Sequence, residues 1–323
     1  DLATATAEAQ SGDTIKLGEG NYTLYGVSSV GHTKGKDLTF VGSGTDKTAW
    51  NIGAKVPNPD YFGTEYNGDY SFDGAGTVTF KNMTMRSGSA NYLGFIRANN
   101  TVVDGCVING KTFYWGYKTA VFNNTTFNAP NGDYAIWTYS SPVMTFDGCT
   151  FVDATTYIFN MGSGGTYSGT LTVKNCTFIN CARVFNIAIG VYGQTEEGTI
   201  NIVGNTFYGV TGEKRSVMQF NTQKVSADAT DIKYLEINIS DNNFAGMGST
   251  QAGLITLHET ALIERDDYSA EYITFSNNTV AAEIPADKYV VNDDGKADGE
   301  FNPYLAVQFK KDLTEKFTAG IKA

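Results

Sequence analysis

The residues with chemistry to offer are few and scattered along the chain. His32 and His258 are the only histidines. His258 precedes Glu259, a pair that would suit proton transfer, although a lone histidine at a strand end is first of all a surface residue. Cys106, Cys149, Cys176 and Cys181 show no CxxC or Cys/His spacing of a metal site. The run 292–300, NDDGKADGE, has the composition of a Ca²⁺ loop. Calcium takes about six to eight oxygens at set positions, and the Asp-x-Asp-x-Asp-Gly spacing is not met. A solvated acidic turn is therefore expected, no cofactor is implied, and Ca²⁺ is the one ion left open. Arg97 and Arg183 fall in strand-like segments with no Asp or Glu beside them. No glycine-rich phosphate loop follows a strand and opens a helix, so nucleotide binding has no support.

Composition narrows the partners. The chain has 323 residues, a net charge of −11 and a pI near 4.7, which argues against nucleic acid or an anionic membrane surface. It holds 36 glycines, 19 tyrosines and 20 phenylalanines but 6 prolines, a composition of strands and tight turns. No apolar run approaches the ~20 residues of a membrane span, and no signal peptide is read. The sequence opens inside a motif, so the removal of a leader or a preceding domain is expected.

One short stretch recurs eight times and must position whatever chemistry exists. Its copies begin at Phe80, Val103, Phe122, Phe146, Val173, Ile202, Ile239 and Phe275. They read FKNMTM, VDGCVI, FNNTTF, FDGCTF, VKNCTF, IVGNTF, ISDNNF and FSNNTV. Position 1 is apolar, as is the residue two before it at Val78, Met144, Leu171, Ile200, Ile237 and Ile273, the period of a strand with one buried face. Position 3 is always Asn, Gly or Asp, the residues that tolerate the left-handed backbone at least cost, so a bend is expected there. Position 4 holds Met83, Cys106, Thr125, Cys149, Cys176, Asn205, Asn242 and Asn278, residues suited to stacking inside a corner. On this reading the cysteines are core residues. Cys149 and Cys176 would lie one coil apart, about 4.8 Å by strand spacing; stacked free thiols are expected, with a disulfide left open. Copies recur every 19 to 37 residues without a helical period, which is the signature of an all-β parallel solenoid of nine or more coils with loops of varied length.

Taken in order, residues 1–24 read as an N-terminal cap, with an Ala-rich helix ending at Gly12 and a strand from Thr14 to Leu17. The stretch 38–42, LTFVG, matches the repeat and adds a ninth coil. Residues 54–72 break the pattern as a polar insertion carrying Tyr61, Phe62, Tyr66 and Tyr70, either pinned to the flank or forming a ligand wall. A second strand follows each motif, and its central column, Ile96, Trp115, Trp137, Phe159, Phe185, Met218 and Ile255, should face the core. The next column, with Arg97, Asn160, Asn186 and Gln219, should be an outward polar stripe. The apolar column beside it, with Ile136, Ile158, Val184, Val217 and Leu254, is either covered by loops or exposed as a contact strip. Residues 222–235 and 259–272 read as polar excursions, and 281–300 lose the repeat. Residues 1–300 thus form one elongated domain, while 301–323 form a carboxy-terminal cap with a short amphipathic helix or begin a following segment.

The bend residues, the aromatic stack and Asn205, Asn242 and Asn278 resemble the right-handed parallel β-helix of the pectate-lyase-like superfamily. That resemblance covers roughly residues 1–290 and implies architecture more than activity, since lyases, hydrolases, tailspikes and adhesins share it. The lyase Asp-His and Arg-Pro signatures and the hydrolase Asn-Thr-Asp, paired-Asp and Gly-His-Gly motifs are missing from this sequence. The leading expectation is a secreted or surface-displayed bacterial module, monomeric and not inserted in a membrane, for adhesion or glycan binding. Tyr61, Phe62, Tyr66 and Tyr70 would stack on sugars, with Arg97, Asn160, Asn186 and Gln219 hydrogen bonding to them. A diverged polysaccharide lyase or glycoside hydrolase acting on an acidic polymer is the second reading, and a structural stalk is the third.

Overall fold

In the computed structural model the described residues are 2–23, 35–52, 70–72, 74–87, 95–96, 98–110, 114–128, 136–137, 143–154, 157–161, 168–181, 183–209, 216–226, 228–248, 252–258, 268–292 and 304–322. They form two compact units, Asp1–Val152 and Asp153–Ala323. Both are built from short parallel strands, one set per coil, so the fold is an all-β right-handed parallel β-helix.

In the first unit, six strands stack in order as a first sheet: Thr14–Lys16, Leu38–Val41, Thr77–Lys81, Asn100–Asp104, Thr119–Asn123 and Val143–Asp147. Pairing puts Phe40, Phe80, Val103, Phe122 and Phe146 in one column, all fully buried. Alternation of buried and half-buried residues along each strand gives the core one face of the sheet. A second sheet follows the bend and aligns Trp50, Met85, Ile108, Phe127 and Phe151. The ring pairs Phe122–Phe146 and Phe127–Phe151 stack at 4.6 Å. A helix over Leu2–Glu8 precedes the first coil, as the amino-terminal sequence predicts.

The second unit continues the same plan with first-sheet strands Thr170–Lys174, Thr199–Val203, Glu236–Ser240 and Ile273–Ser276. The two units together supply ten first-sheet strands among the described residues. The stacked rings Phe178, Phe207 and Phe244 line its second sheet at 4.9 and 5.3 Å. A helix over Lys310–Ala319 closes the last coil. Its Phe317 ring lies 5.6 Å from Phe244, 5.2 Å from Phe275 and 5.2 Å from Tyr289. Lys316 Nζ donates to the carbonyls of Ala270, Glu271 and Ile273. Of these acceptors Ile273 C=O belongs to the strand Ile273–Ser276, on which a further coil would otherwise add.

The bend prediction holds in every copy. Asn82, Gly105, Asn124, Gly148, Asn175, Gly204, Asp241 and Asn277 all have positive φ between 47° and 67°. From residue 82 to 204 Asn and Gly alternate, and the glycines are closely approached. A Cβ on Gly105 would lie 2.9 Å from Asn82 Oδ1, one on Gly148 2.9 Å from Asn124 Oδ1, and one on Gly204 3.0 Å from Asn175 Oδ1. The amides of Asn82, Asn124 and Asn175 each lean over the glycine of the next coil.

Three expectations need correction in the second unit. Residues 222–235 are not a plain loop: strand Met218–Lys224 runs into them, and Ile232–Tyr234 forms another strand. The repeat does not vanish after residue 280, because Val290–Asn292 pairs in parallel with Ile255–Leu257. The stripe of Asn160 and Asn186 is not an open surface. These side chains are 7% and 6% exposed, because strand Arg183–Tyr192 is buried on both faces from its second residue. The apolar column is not an exposed strip either: Ile136, Ile158, Val184, Val217 and Leu254 are buried. The core column fares as expected at Phe159, Phe185, Met218 and Ile255, each at 0% exposure.

Candidate functional site

The ten-residue strand Arg183–Tyr192 extends past its coil and creates a flap. Its end pairs antiparallel with Ile232–Tyr234, in the register Gly190 to Tyr234, Val191 to Lys233 and Tyr192 to Ile232. Glycine at 190 lets the two strands approach closely, since a Cβ there would lie 2.7 Å from Ile232 Cδ1 and 3.2 Å from Tyr234 Cδ1 and the Ile232 side chain would have to turn aside. The flap is fastened by hydrogen bonds from Gly193 N–H to Asp231 C=O at 2.8 Å and from Leu235 N–H to Ile189 C=O at 3.0 Å. Buried Leu235 then leads the chain into the first-sheet strand at Glu236.

A groove of about 230 Å³ opens beside this flap, lined by Glu197, Ile232, Lys233, Tyr234, Glu236 and Tyr272. Successive coils place these groups. Glu236 pairs with Thr199 at the start of the first-sheet strands, and Tyr272 follows on the next coil, its carbonyl accepting from Ile237 N–H at 2.9 Å. Tyr234 stacks on Tyr272 with ring centroids 4.9 Å apart and an interplanar angle of 8°. Each ring restricts the other, so the pair is a preorganised platform. Tyr272 remains 39% exposed, and Glu197 and Glu236 are exposed. The chemistry available is therefore an aromatic edge, two carboxylate acceptors and an ammonium donor around one concave surface.

The sequence-predicted site residues fare differently. Tyr61, Phe62, Tyr66 and Arg97 lie outside the described residues, as do His32, Glu259 and 293–300 of the acidic run. Tyr70 falls in the two-residue strand Tyr70–Ser71. Asn160, Asn186 and Gln219 are brought together. Asn186 Nδ2 donates to Asn160 Oδ1 at 2.8 Å, while Asn186 Oδ1 accepts from Asn221 at 2.8 Å and from Gln219 at 3.3 Å. Tyr157 O–H donates to Gln219 Oε1, and the Arg183 guanidinium lies 4.8 Å over the Tyr157 ring. These amides form an internal ladder, engaged with one another. Sequence reasoning missed Tyr234, Tyr272, Glu197 and Glu236. The available signal was the first-sheet entry column, where Thr170 and Thr199 give way to Glu236 and Tyr272.

All four cysteines are free and buried. Burial pushes the Cys106 thiol up to about 11 and the Cys181 thiol up to about 12, the reverse of an activated nucleophile. Among the described residues, no three of His, Cys, Asp or Glu gather as a metal site, and no helix is long and apolar enough to cross a membrane. No curated protein and no solved structure matches the chain significantly. Residues 70–232 match the family model described as right handed beta helix region, about half of the 323 residues. The matched stretch contains six of the eight bends, Asn82 to Gly204, with the strands that flank them, and the chain belongs to the right-handed β-helix family.

Proposed function

We propose that this β-helix is a glycan-binding module, secreted or displayed at a cell surface, and that the groove beside the flap is its binding site. The observation that supports this reading is the stacked Tyr234–Tyr272 pair flanked by Glu197, Glu236 and Lys233. Aromatic rings with a few converging polar groups match the two sides of a sugar, its C–H faces and its hydroxyls. The run Tyr61, Phe62, Tyr66 and Tyr70 is kept as a second contact on the strength of its sequence alone.

A glycan-array screen of the purified chain, with and without Ca²⁺, tests the reading. Repeatable binding to one polysaccharide class, lost in Tyr272→Ala with a Tm within about 4 °C of the parent, is the expected result. A blank array, or binding indifferent to Tyr272→Ala, sinks this site. The polymer that binds is then incubated with the chain, and release of ultraviolet-absorbing unsaturated oligosaccharides would establish a lyase in place of a pure binding module.

A further inference from the structure

The balance of charge in the groove bears on which glycans it accepts. Glu197 and Glu236 bring two negative charges and Lys233 one positive, leaving an excess of one carboxylate within a chain of net charge −11. A uronate or sulfate entering this groove meets repulsion from the carboxylates and from the whole acidic surface. The lysine is a single compact charge, not the paired guanidinium fork suited to carboxylates. A neutral sugar presents the opposite chemistry. Its hydroxyls are donors, and a carboxylate accepts two of them at once from a vicinal diol. Coil geometry strengthens the case. Glu197 lies two residues before Thr199, and Thr199 pairs with Glu236, so adjacent coils contribute one carboxylate each along the axis. Tyr234 and Tyr272 repeat in the same direction at 4.9 Å. Acceptors and rings thus progress together, which suits an extended chain of similar units over a single charged residue.

We infer that the groove formed by Glu197, Glu236, Tyr234 and Tyr272 selects neutral, hydroxyl-rich polysaccharide and discriminates against uronates. This rests on the glycan-binding reading above and names the ligand class for the same site.

The test is migration of the full chain through native gels containing mannan, mixed-linkage glucan, polygalacturonate or alginate, at low and high salt. At least one neutral polymer is expected to retard the chain, about equally at both salts. Glu236→Gln should weaken that retardation about tenfold, since it removes a charged acceptor. Tyr272→Ala should abolish it, and the exposed helix variant Glu315→Gln should leave it unchanged. Retardation by polygalacturonate or alginate that Tyr272→Ala removes overturns the neutral class while the glycan reading stands. Retardation by a neutral polymer that Glu236→Gln leaves intact overturns the role given to the carboxylates. No retardation by any polymer overturns both.

Discussion

The inner corner of the coil is filled in two ways. In the first unit the residue after each bend is Met83, Cys106, Thr125 or Cys149; in the second, Cys176 is followed by Asn205, Asn242 and Asn278. All eight are at most 1% exposed, and the bends before them share one backbone conformation. Their hydrogen bonding differs. In the second unit, Asn205 Oδ1 accepts the Cys176 N–H at 2.8 Å while Asn205 Nδ2 donates to Val173 C=O at 2.9 Å. Asn242 does the same for Asn205 N–H and Ile202 C=O, and Asn278 for Asn242 N–H and Ile239 C=O. One carboxamide thus satisfies both a donor and an acceptor of the preceding corner. In the first unit, Cys149 Sγ meets Phe122 C=O at 3.4 Å, and Thr125 Oγ1 donates to its own coil's Asn123 C=O at 3.0 Å. A thiol is a weak donor and satisfies less. The same bend is therefore compatible with two degrees of polar satisfaction, and the second unit carries the stricter one.

The largest effect should come from breaking the amide ladder. Asn242→Ala removes the partners of Asn205 N–H and Ile202 C=O, and we expect a loss of about 3–5 kcal/mol in urea unfolding. A loss below about 1 kcal/mol would mean that the ladder is ornamental. Cys149→Ala in the first unit should cost less, about 1–2 kcal/mol, mostly for the vacated volume. Grafting the stricter solution sharpens the contrast. Cys149→Asn places an amide against Phe122 C=O and should stay within about 1 kcal/mol of the parent, whereas the same asparagine at Met83, which would lose apolar burial, should be worse.

The smallest effect is a dependence on pH. Burial raises Cys106 from an ordinary 9.0 to about 11, so the folded chain holds a proton that the unfolded chain releases first. The stability contributed by the neutral thiol is complete below pH 9.0 and falls away as pH rises toward about 11. Unfolding midpoints measured from pH 8 to 11 should decline, and less so in Cys106→Ala. An unchanged slope in that variant would remove Cys106 as the cause.

The corner was legible in the sequence because its demand is local. A left-handed bend admits Asn, Gly or Asp, and the requirement recurs at fixed offsets from the apolar residues that flank it. The groove was legible only in part: the entry column marks Glu236 and Tyr272, but Tyr234 lies on the flap strand, whose antiparallel pairing with Gly190 no repeat in the sequence announces. The flap was hidden for a related reason. Gly190 reads as an ordinary strand glycine until Ile232 and Tyr234 cross it. The polar column at Asn160 and Asn186 misled in the other direction, since alternation alone assigns a face but does not say whether something covers it.

The helix Lys310–Ala319 has a consequence beyond packing. Every coil of this chain is a template for the next, presenting bare carbonyls and half a ring stack at its end, much as the face of a crystal presents sites for the next layer. Lys316 and Phe317 act on that face as a growth poison does. The ammonium occupies three carbonyls, and the Phe317 ring meets Phe244 and Phe275 edge-on, at 64° and 81°, where another coil would stack flat. The length of the stack is thus set by where its terminator binds, and a chain deprived of it would be expected to nucleate fibres from that end.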